Sequence, residues 1–219
     1  MLVRDRMSYP VITIHPELPI QEALFLMRQE NVRRFPVVDK RGHLIGIVSE
    51  KDLLNASPSD ATSLSIFELN YLLNKISVEE IMTRIVITIG EDTPIEDAAR
   101  IMANNKIGGL PVVRNSAVVG IITETDLFKI LLELMGAHER GIRLTVLAPN
   151  EPGELAKLTK AIFDIGGNIV SLGTFMGDSP ENREVCLVLE GVEQQALRDA
   201  VKPFIEQIID IREPHLVSD

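Results

Sequence analysis

The apolar positions between Val11 and Leu54 recur in the same order between Val86 and Phe128. Val11-Ile12-Thr13-Ile14 returns seventy-five residues later as Val86-Ile87-Thr88-Ile89. At the same offset Pro19-Ile20, Ala23, Met27 and Pro36-Val37-Val38 return as Pro94-Ile95, Ala98, Met102 and Pro111-Val112-Val113. The β-branched runs predict strands. Ile20, Ala23, Leu24 and Met27, then Ile95, Ala98, Ala99 and Met102, follow the spacing of a helix that buries one face. Thr93 should cap the second of these helices, with Pro94 at its first position; Leu18 cannot cap the first. Beyond Val38 the offset falls to seventy-four, so the second copy has lost one residue between two strands, a change that a hairpin turn tolerates. Asp39-Lys40-Arg41-Gly42 makes the first turn, and Asn115-Ser116 sits at the second. Each copy reads as strand, helix, hairpin, helix. A unit of about 50 residues with one apolar face per element does not easily close a core alone, but two copies packed together do.

The end of each copy carries the chemistry. Gly46-Ile47-Val48-Ser49-Glu50-Lys51-Asp52 returns as Gly120-Ile121-Ile122-Thr123-Glu124-Thr125-Asp126. A buried strand runs into a hydroxyl residue where a helix should begin, and an aspartate follows three positions on. Leu53-Leu54 and Leu127-Phe128 continue as the apolar side of that helix. The free N–H groups at such a junction favour an anion or a polar ligand. Ser/Thr-x-x-Asp is also close to a capping box, worth about 1 kcal/mol of helix stability and no function. Repetition inside a longer repeat favours the ligand, with capping as an added role.

Elsewhere the rhythm changes. Met1 to Arg6 should lead into the first copy; Ser57 to Ser63 is rich in breakers and predicts a loop. Ile66, Leu69, Leu72 and Leu73 predict an amphipathic linking helix from Ile66 to Lys75, and Ser77-Val78-Glu79-Glu80 a capping box opening the second copy. Gly136 to Gly141 predicts a linker. Beyond it come a strand from Ile142 to Leu147 and a helix opened by Pro152-Gly153, with its stripe at Leu155, Leu158, Ile162 and Ile165. Gly166-Gly167 should end that helix in left-handed conformations. Strands from Ile169 to Met176 and Glu184 to Leu189, a helix from Glu193 to about Gln207 and a strand around Ile208-Ile211 complete a βαββαβ order.

Composition narrows the function. The 219 residues, 45% apolar, suffice for two modest domains. No apolar run reaches the roughly 18 residues that cross a bilayer, and Met1 to Arg6 is no signal peptide, so a soluble, cytoplasmic protein is expected. The single cysteine, Cys186, lies in an apolar run and predicts packing rather than reactivity. His15, His43, His138 and His215 lack ligand spacing, so no metal is expected. A net charge of −10, with 4% aromatics and no basic patch, disfavours nucleic acid. No nucleophile–histidine pair or acid–base carboxylate pair stands out, so no enzymatic activity is expected.

The repeated element order, the Pro-Val-Val strands and the doubled Gly-hydrophobic-hydrophobic-Ser/Thr-x-x-Asp resemble the CBS-domain pair, or Bateman module, from Val3 to about Met135. In that family the aspartate contacts an adenosyl ribose and the hydroxyl residue lies near the phosphates. The resemblance therefore implies nucleotide contacts from Ser49, Asp52, Thr123 and Asp126, from Thr13 and Thr88 on the leading strands, and from Arg33 toward phosphate. The second copy has Gly108-Gly109 where the first has Arg33-Arg34, so the two halves should differ: a phosphate-dependent site using Arg33, and a weaker or adenosine-type site without it. Asn150-Glu151-Pro152-Gly153-Glu154-Leu155 with Gly166-Gly167-Asn168-Ile169 resembles the ACT domain, an amino-acid-sensing module, from Ile142 to about His215. That resemblance would place Asn150 and Asn168 near an effector at a subunit interface; a plain helix start and stop explains the same residues.

The order of the two modules resembles AcuB-type regulatory proteins. It implies an α+β fold: a CBS pair over residues 1–137 (repeats about 3–56 and 78–135), then a ferredoxin-like βαββαβ ACT domain over 142–217. It also implies a homodimeric, non-catalytic regulator without cofactor, sensing AMP, ADP, ATP or S-adenosylmethionine and an amino acid, and acting on a partner enzyme. A structural or interaction module with degenerate sites is the alternative, against which the retention of both aspartates argues.

Overall fold

The computed structural model describes residues 1–56 and 75–213. The loop from Ser57 to Ser63, the linking helix (apart from Lys75) and His215 lie outside the described residues. The chain divides into two compact units, Met1–Leu127 and Phe128–Asp219.

In the first unit the repeat becomes α1 (Ile20–Gln29), β1 (Arg34–Val38), β2 (Leu44–Ser49) and α2 (Glu50–Ala56). The second copy gives α3 (Val78–Ile81), β3 (Ile89–Gly90), α4 (Ile95–Asn105), β4 (Gly109–Arg114), β5 (Ala117–Thr123) and α5 (Glu124–Leu134). The apolar stripes point inward as expected: Ile20, Ala23 and Met27 are buried on α1, and Ile95, Ala98 and Met102 on α4. Both hairpins are antiparallel. The first turns at Gly42 (φ 82°), where Asp39 Oδ1 accepts the N–H groups of Arg41 and His43 at 2.8 Å each. The shorter one turns at Asn115 and Ser116, both left-handed (φ 51° and 68°). Two such residues match the right-handed twist of the flanking strands. The leading strands are shorter than expected. Ile14 makes a single parallel bridge to Val37, and β3 pairs with β4 over two residues, so the preceding Val86 and Ile87 stay out of the ladder.

Three local expectations differ from the structure. Thr93 does not cap α4: Pro94 takes the N-cap position in extended conformation, and its carbonyl accepts Asp97 and Ala98 N–H. Proline cannot donate, so it fits where the helix has no partner to offer. Second, the apolar pair after each motif aspartate is not buried as a unit: Leu53 is fully buried and Leu127 half-buried, while Leu54 and Phe128 are exposed. Third, the leading segments are exchanged. Met1 to Ser8 lies on the second copy, with Val3 N–H donating to Thr93 O and Ser8 pairing with Ile121. Ser77 to Thr83 lies on the first copy, with Val78 N–H donating to Leu18 O and Ile47 pairing with Thr83. Val78 and Met82 are built into the first copy's core beside Phe35, Val48 and Leu53. This packing also accounts for the motif glycines. A Cβ on Gly46 would collide with Sδ of Met82, and one on Gly120 with Sδ of Met7.

The second unit is a four-stranded antiparallel sheet carrying two helices. β6 (Ile142–Pro149), α6 (Glu154–Asp164), β7 (Asn168–Met176), β8 (Asn182–Glu190), α7 (Gln194–Val201) and β9 (Gln207–Arg212) pair in the order β7-β8-β6-β9. Alternation puts Ile142, Leu144, Val146 and Ala148 of β6 into a core with Val185, Leu187 and Leu189 of β8, covered by Leu158, Ile162, Leu197 and Val201. Leu155, expected on that stripe, is 43% exposed. Only Gly166 is left-handed (φ 83°); Gly167 serves close packing, since a Cβ there would meet Ile162 Cγ2 at 2.7 Å. The last helix ends at Val201 rather than near Gln207, passing into a 3-10 turn at Lys202–Phe204. Pro203 has no N–H to continue it. The carbonyls of Leu134 and Met135, at the end of α5, accept bonds from Ser171 Oγ (2.5 Å) and Arg143 Nη2 (3.1 Å), which satisfies two acceptors a helix end leaves open. Among the described residues no helix is long and apolar enough to cross a membrane.

Candidate functional site

The strand-to-helix junction of the first copy opens on a cleft of about 460 Å³, all of it within the first unit. That is inside the usual range for small-molecule sites. β2 and α2 bring Ser49, Glu50, Lys51 and Asp52; the chain before β1 brings Arg33 and β1 itself Arg34. The turn after α4 brings Lys106, Ile107 and Gly108 and the start of β4 brings Gly109, while the end of the exchanged leader brings Thr83 and the segment beyond it Ile85, Val86 and Ile87. The lining mixes two chemistries. Ile47, Ile85, Val86, Ile87 and Ile107 are its apolar members, and Ile85 is 90% exposed. Arg33, Arg34, Lys51 and Lys106 supply four cations against the carboxylates of Glu50 and Asp52. In a chain of net charge −10 this is a local reversal of sign.

The capping box forms in both copies with nearly the same geometry. Ser49 donates to Asp52 Oδ2 from its N–H (2.8 Å) and its hydroxyl (2.6 Å), and Asp52 N–H donates back to Ser49 Oγ at 3.3 Å. Thr123 and Asp126 repeat this at 2.8, 2.7 and 3.4 Å. All the capping goes through Oδ2; among the described residues nothing donates to Oδ1 of either aspartate. Capping therefore engages one oxygen of each carboxylate. The free N–H groups expected at the junction are partly used: Glu50 N–H donates to Arg33 O at 2.9 Å, and Asp52 N–H to Ser49. Positive charge in the cleft comes from side chains.

Of the sequence-derived residues, Ser49, Asp52 and Arg33 meet in this cleft. Thr123 and Asp126 make the same local arrangement on the second copy, outside the cleft lining. Thr88 is exposed and Thr13 half-buried, and neither lines it, although Val86 and Ile87 beside Thr88 do. Asn150 and Asn168 are not brought together within the chain. β6 pairs with β8 so that Pro149 faces Asn182 while Asn168 faces Glu190, at opposite ends of the sheet. Asn150 spans the β7–β8 loop, donating from Nδ2 to Pro180 O (3.0 Å) and accepting from Arg183 Nε (3.3 Å). Sequence reasoning missed Arg34, Lys51, Lys106 and Thr83. Their only signal was that Arg34 adjoins Arg33 and Lys51 lies inside the repeated motif.

This fold is that of a tandem module of the CBS type. The family model of the CBS domain matches residues 3–59 and 78–133, and the TTHA0829-like ACT domain matches 140–212. The chain belongs to the CBS-domain family, as a tandem pair followed by an ACT domain. Among solved structures it is similar to the CBS pair of protein MJ0100 in complex with 5′-methylthioadenosine and S-adenosylmethionine, at 36% identity and TM-score 0.51 over 60% of this chain and 95% of that one. It is also similar to a structure from Vibrio cholerae described as an acetoin utilization protein (AcuB), at 31% identity and TM-score 0.53 over 64% and 96%. A third, CBSX2 in complex with AMP, matches at 30% identity and TM-score 0.50 over 61% and 97%. The chain spans only 23% of a curated enzyme it resembles, L-aspartate semialdehyde sulfurtransferase of Methanocaldococcus jannaschii, at 37% identity over 59% of this chain.

Proposed function

We propose that the protein is a cytoplasmic, homodimeric, non-catalytic regulator whose CBS pair, residues 1–137, senses an adenosyl nucleotide. Its ACT domain, residues 142–217, would sense an amino acid, and the pair would set how the protein engages a partner enzyme. One observation carries the reading. The lining of the first-copy cleft combines apolar side chains that suit a base, a carboxylate oxygen without a donor among the described residues that suits ribose hydroxyls, and four cations that suit phosphate. An ionised carboxylate accepts two hydroxyl donors, and guanidinium groups hold phosphate bidentately. Similar CBS pairs that hold S-adenosylmethionine, 5′-methylthioadenosine or AMP support an adenosyl ligand here. The four cations favour a phosphorylated one, with AMP, ADP and ATP ahead of S-adenosylmethionine. The curated enzyme resembled in the same region is mostly sequence that this chain does not cover, so its catalysis does not transfer.

Thermal unfolding of the full chain with adenosine, AMP, ADP, ATP, S-adenosylmethionine and the common amino acids tests this. A ligand at about 100 times its Kd adds roughly 2.7 kcal/mol of stability. Stabilisation by adenine nucleotides supports the reading; no response to any adenosyl compound overturns it. A response to amino acids alone would leave only the ACT half.

A further inference from the structure

Arg34 has a neighbour that its place in the sequence does not announce. It lies on β1, half-buried in the cleft wall, and its side chain runs over Gly108 and Gly109 of the second copy. A Cβ on Gly108 would collide with Nη2 of Arg34 and meet Glu124 Oε2 at 2.8 Å; one on Gly109 would meet Arg34 Cδ at 3.2 Å. The guanidinium of the first copy and a carboxylate of the second thus approach the same point. Glu124 directly follows Thr123 of the second motif. The Gly108-Gly109 pair, which from sequence reads as missing charge, is what makes room for this meeting. Burial pushes the Arg34 guanidinium below its ordinary value; Glu124 works against that, Arg33 adds to it, and Asp52 opposes it. The group stays protonated at any ordinary pH, so it sits partly desolvated with Glu124 as its largest opposing charge.

We infer that Arg34 sets how strongly the cleft prefers phosphorylated over unphosphorylated adenosyl ligands, and that Glu124 is the internal competitor for its guanidinium. The inference rests on the adenosyl-ligand reading above. A phosphate entering beside Arg33 and Arg34 replaces Glu124 as the anion Arg34 faces, and part of its binding is spent in that exchange. An uncharged ribose or base does not take part in it. The displaced carboxylate belongs to the second motif, so charge bound in one half alters the electrostatics of the other.

The test is calorimetric titration of the full chain with adenosine and ATP, using wild type, Glu124→Gln, Arg34→Gln and the double variant. Glu124 is exposed, so its replacement carries little folding risk. Glu124→Gln should tighten ATP roughly two- to fivefold, the range of a partly screened attraction between nearby charges, and leave adenosine unchanged. Arg34→Gln should weaken ATP on the order of tenfold with little effect on adenosine. With Arg34 replaced, Glu124→Gln should no longer change ATP affinity. The inference is overturned if Glu124→Gln does not tighten ATP, if it does so equally without Arg34, or if Arg34→Gln weakens adenosine as much as ATP. A wild type that binds neither adenosine nor ATP overturns the adenosyl reading itself, a different result from binding that the variants leave unaltered.

Discussion

Asp52 caps with one oxygen of its carboxylate. Oδ2 closes the box with Ser49, and among the described residues nothing donates to Oδ1, which the proposed function gives to a ligand. The motif reads in the sequence as both a cap and a site because each reading uses the same residues; the structure shows the cap, and the site is the proposal. Ser49→Ala removes the hydroxyl that caps Asp52 N–H, and should cost about 1 kcal/mol of stability in chemical denaturation. A neutral result would show that the box contributes nothing to folding. The cations were less legible. Arg33 stood out because its counterpart is a glycine, whereas Lys106 closes α4 in a left-handed conformation (φ 54°), a place sequence spacing does not reveal. Its convergence with Lys51 arises only when the copies pack.

Among elements, the helices were the most legible and the chain ends least. The i, i+3, i+4, i+7 stripes of α1 and α4 stand in the sequence because burial on one face demands them. The exchange of leading segments left no such mark, since Val3 and Val78 are equivalent in the repeat and either core would accept either one. The exchange makes a local prediction. Met82→Ala should open a cavity in the first copy, costing about 2–4 kcal/mol, although Met82 lies in the second copy's sequence. Hydrogen exchange should quicken first in β2 (Leu44–Ser49); quickening confined to β4 and β5 would contradict the packing. The short hairpin supplies a second test. Ser116 holds φ 68° where glycine is unstrained, so Ser116→Gly should stabilise the protein by about 0.5–1 kcal/mol in denaturant titration. A loss of stability would mean that the turn is not left-handed at that residue.

For the whole molecule, the α+β architecture and its two modules could be read from the repeat and the βαββαβ order. The division within α5 could not, because helical periodicity continues through it. Phe128, Leu131, Leu132 and Leu134 are exposed on that helix, more apolar surface than a free helix face needs. Light scattering at micromolar concentration should therefore give a mass above the 24.3 kDa of one chain, and a monomer would remove the proposed homodimer. The central claim is that the first-copy cleft holds an adenosyl nucleotide through the free oxygen of Asp52. Its most direct measurement is the calorimetric affinity for ATP and for 2′,3′-dideoxy-ATP, taken on wild type and on Asp52→Ala. A charge-assisted hydrogen bond of about 1.5–3 kcal/mol predicts that wild type loses at least tenfold on removal of the ribose hydroxyls. Asp52→Ala should bind ATP as weakly as wild type binds the dideoxy form, and should no longer distinguish the two. Equal affinity of wild type for both nucleotides, or unchanged ATP binding by Asp52→Ala, would contradict the account and leave Asp52 a helix cap alone.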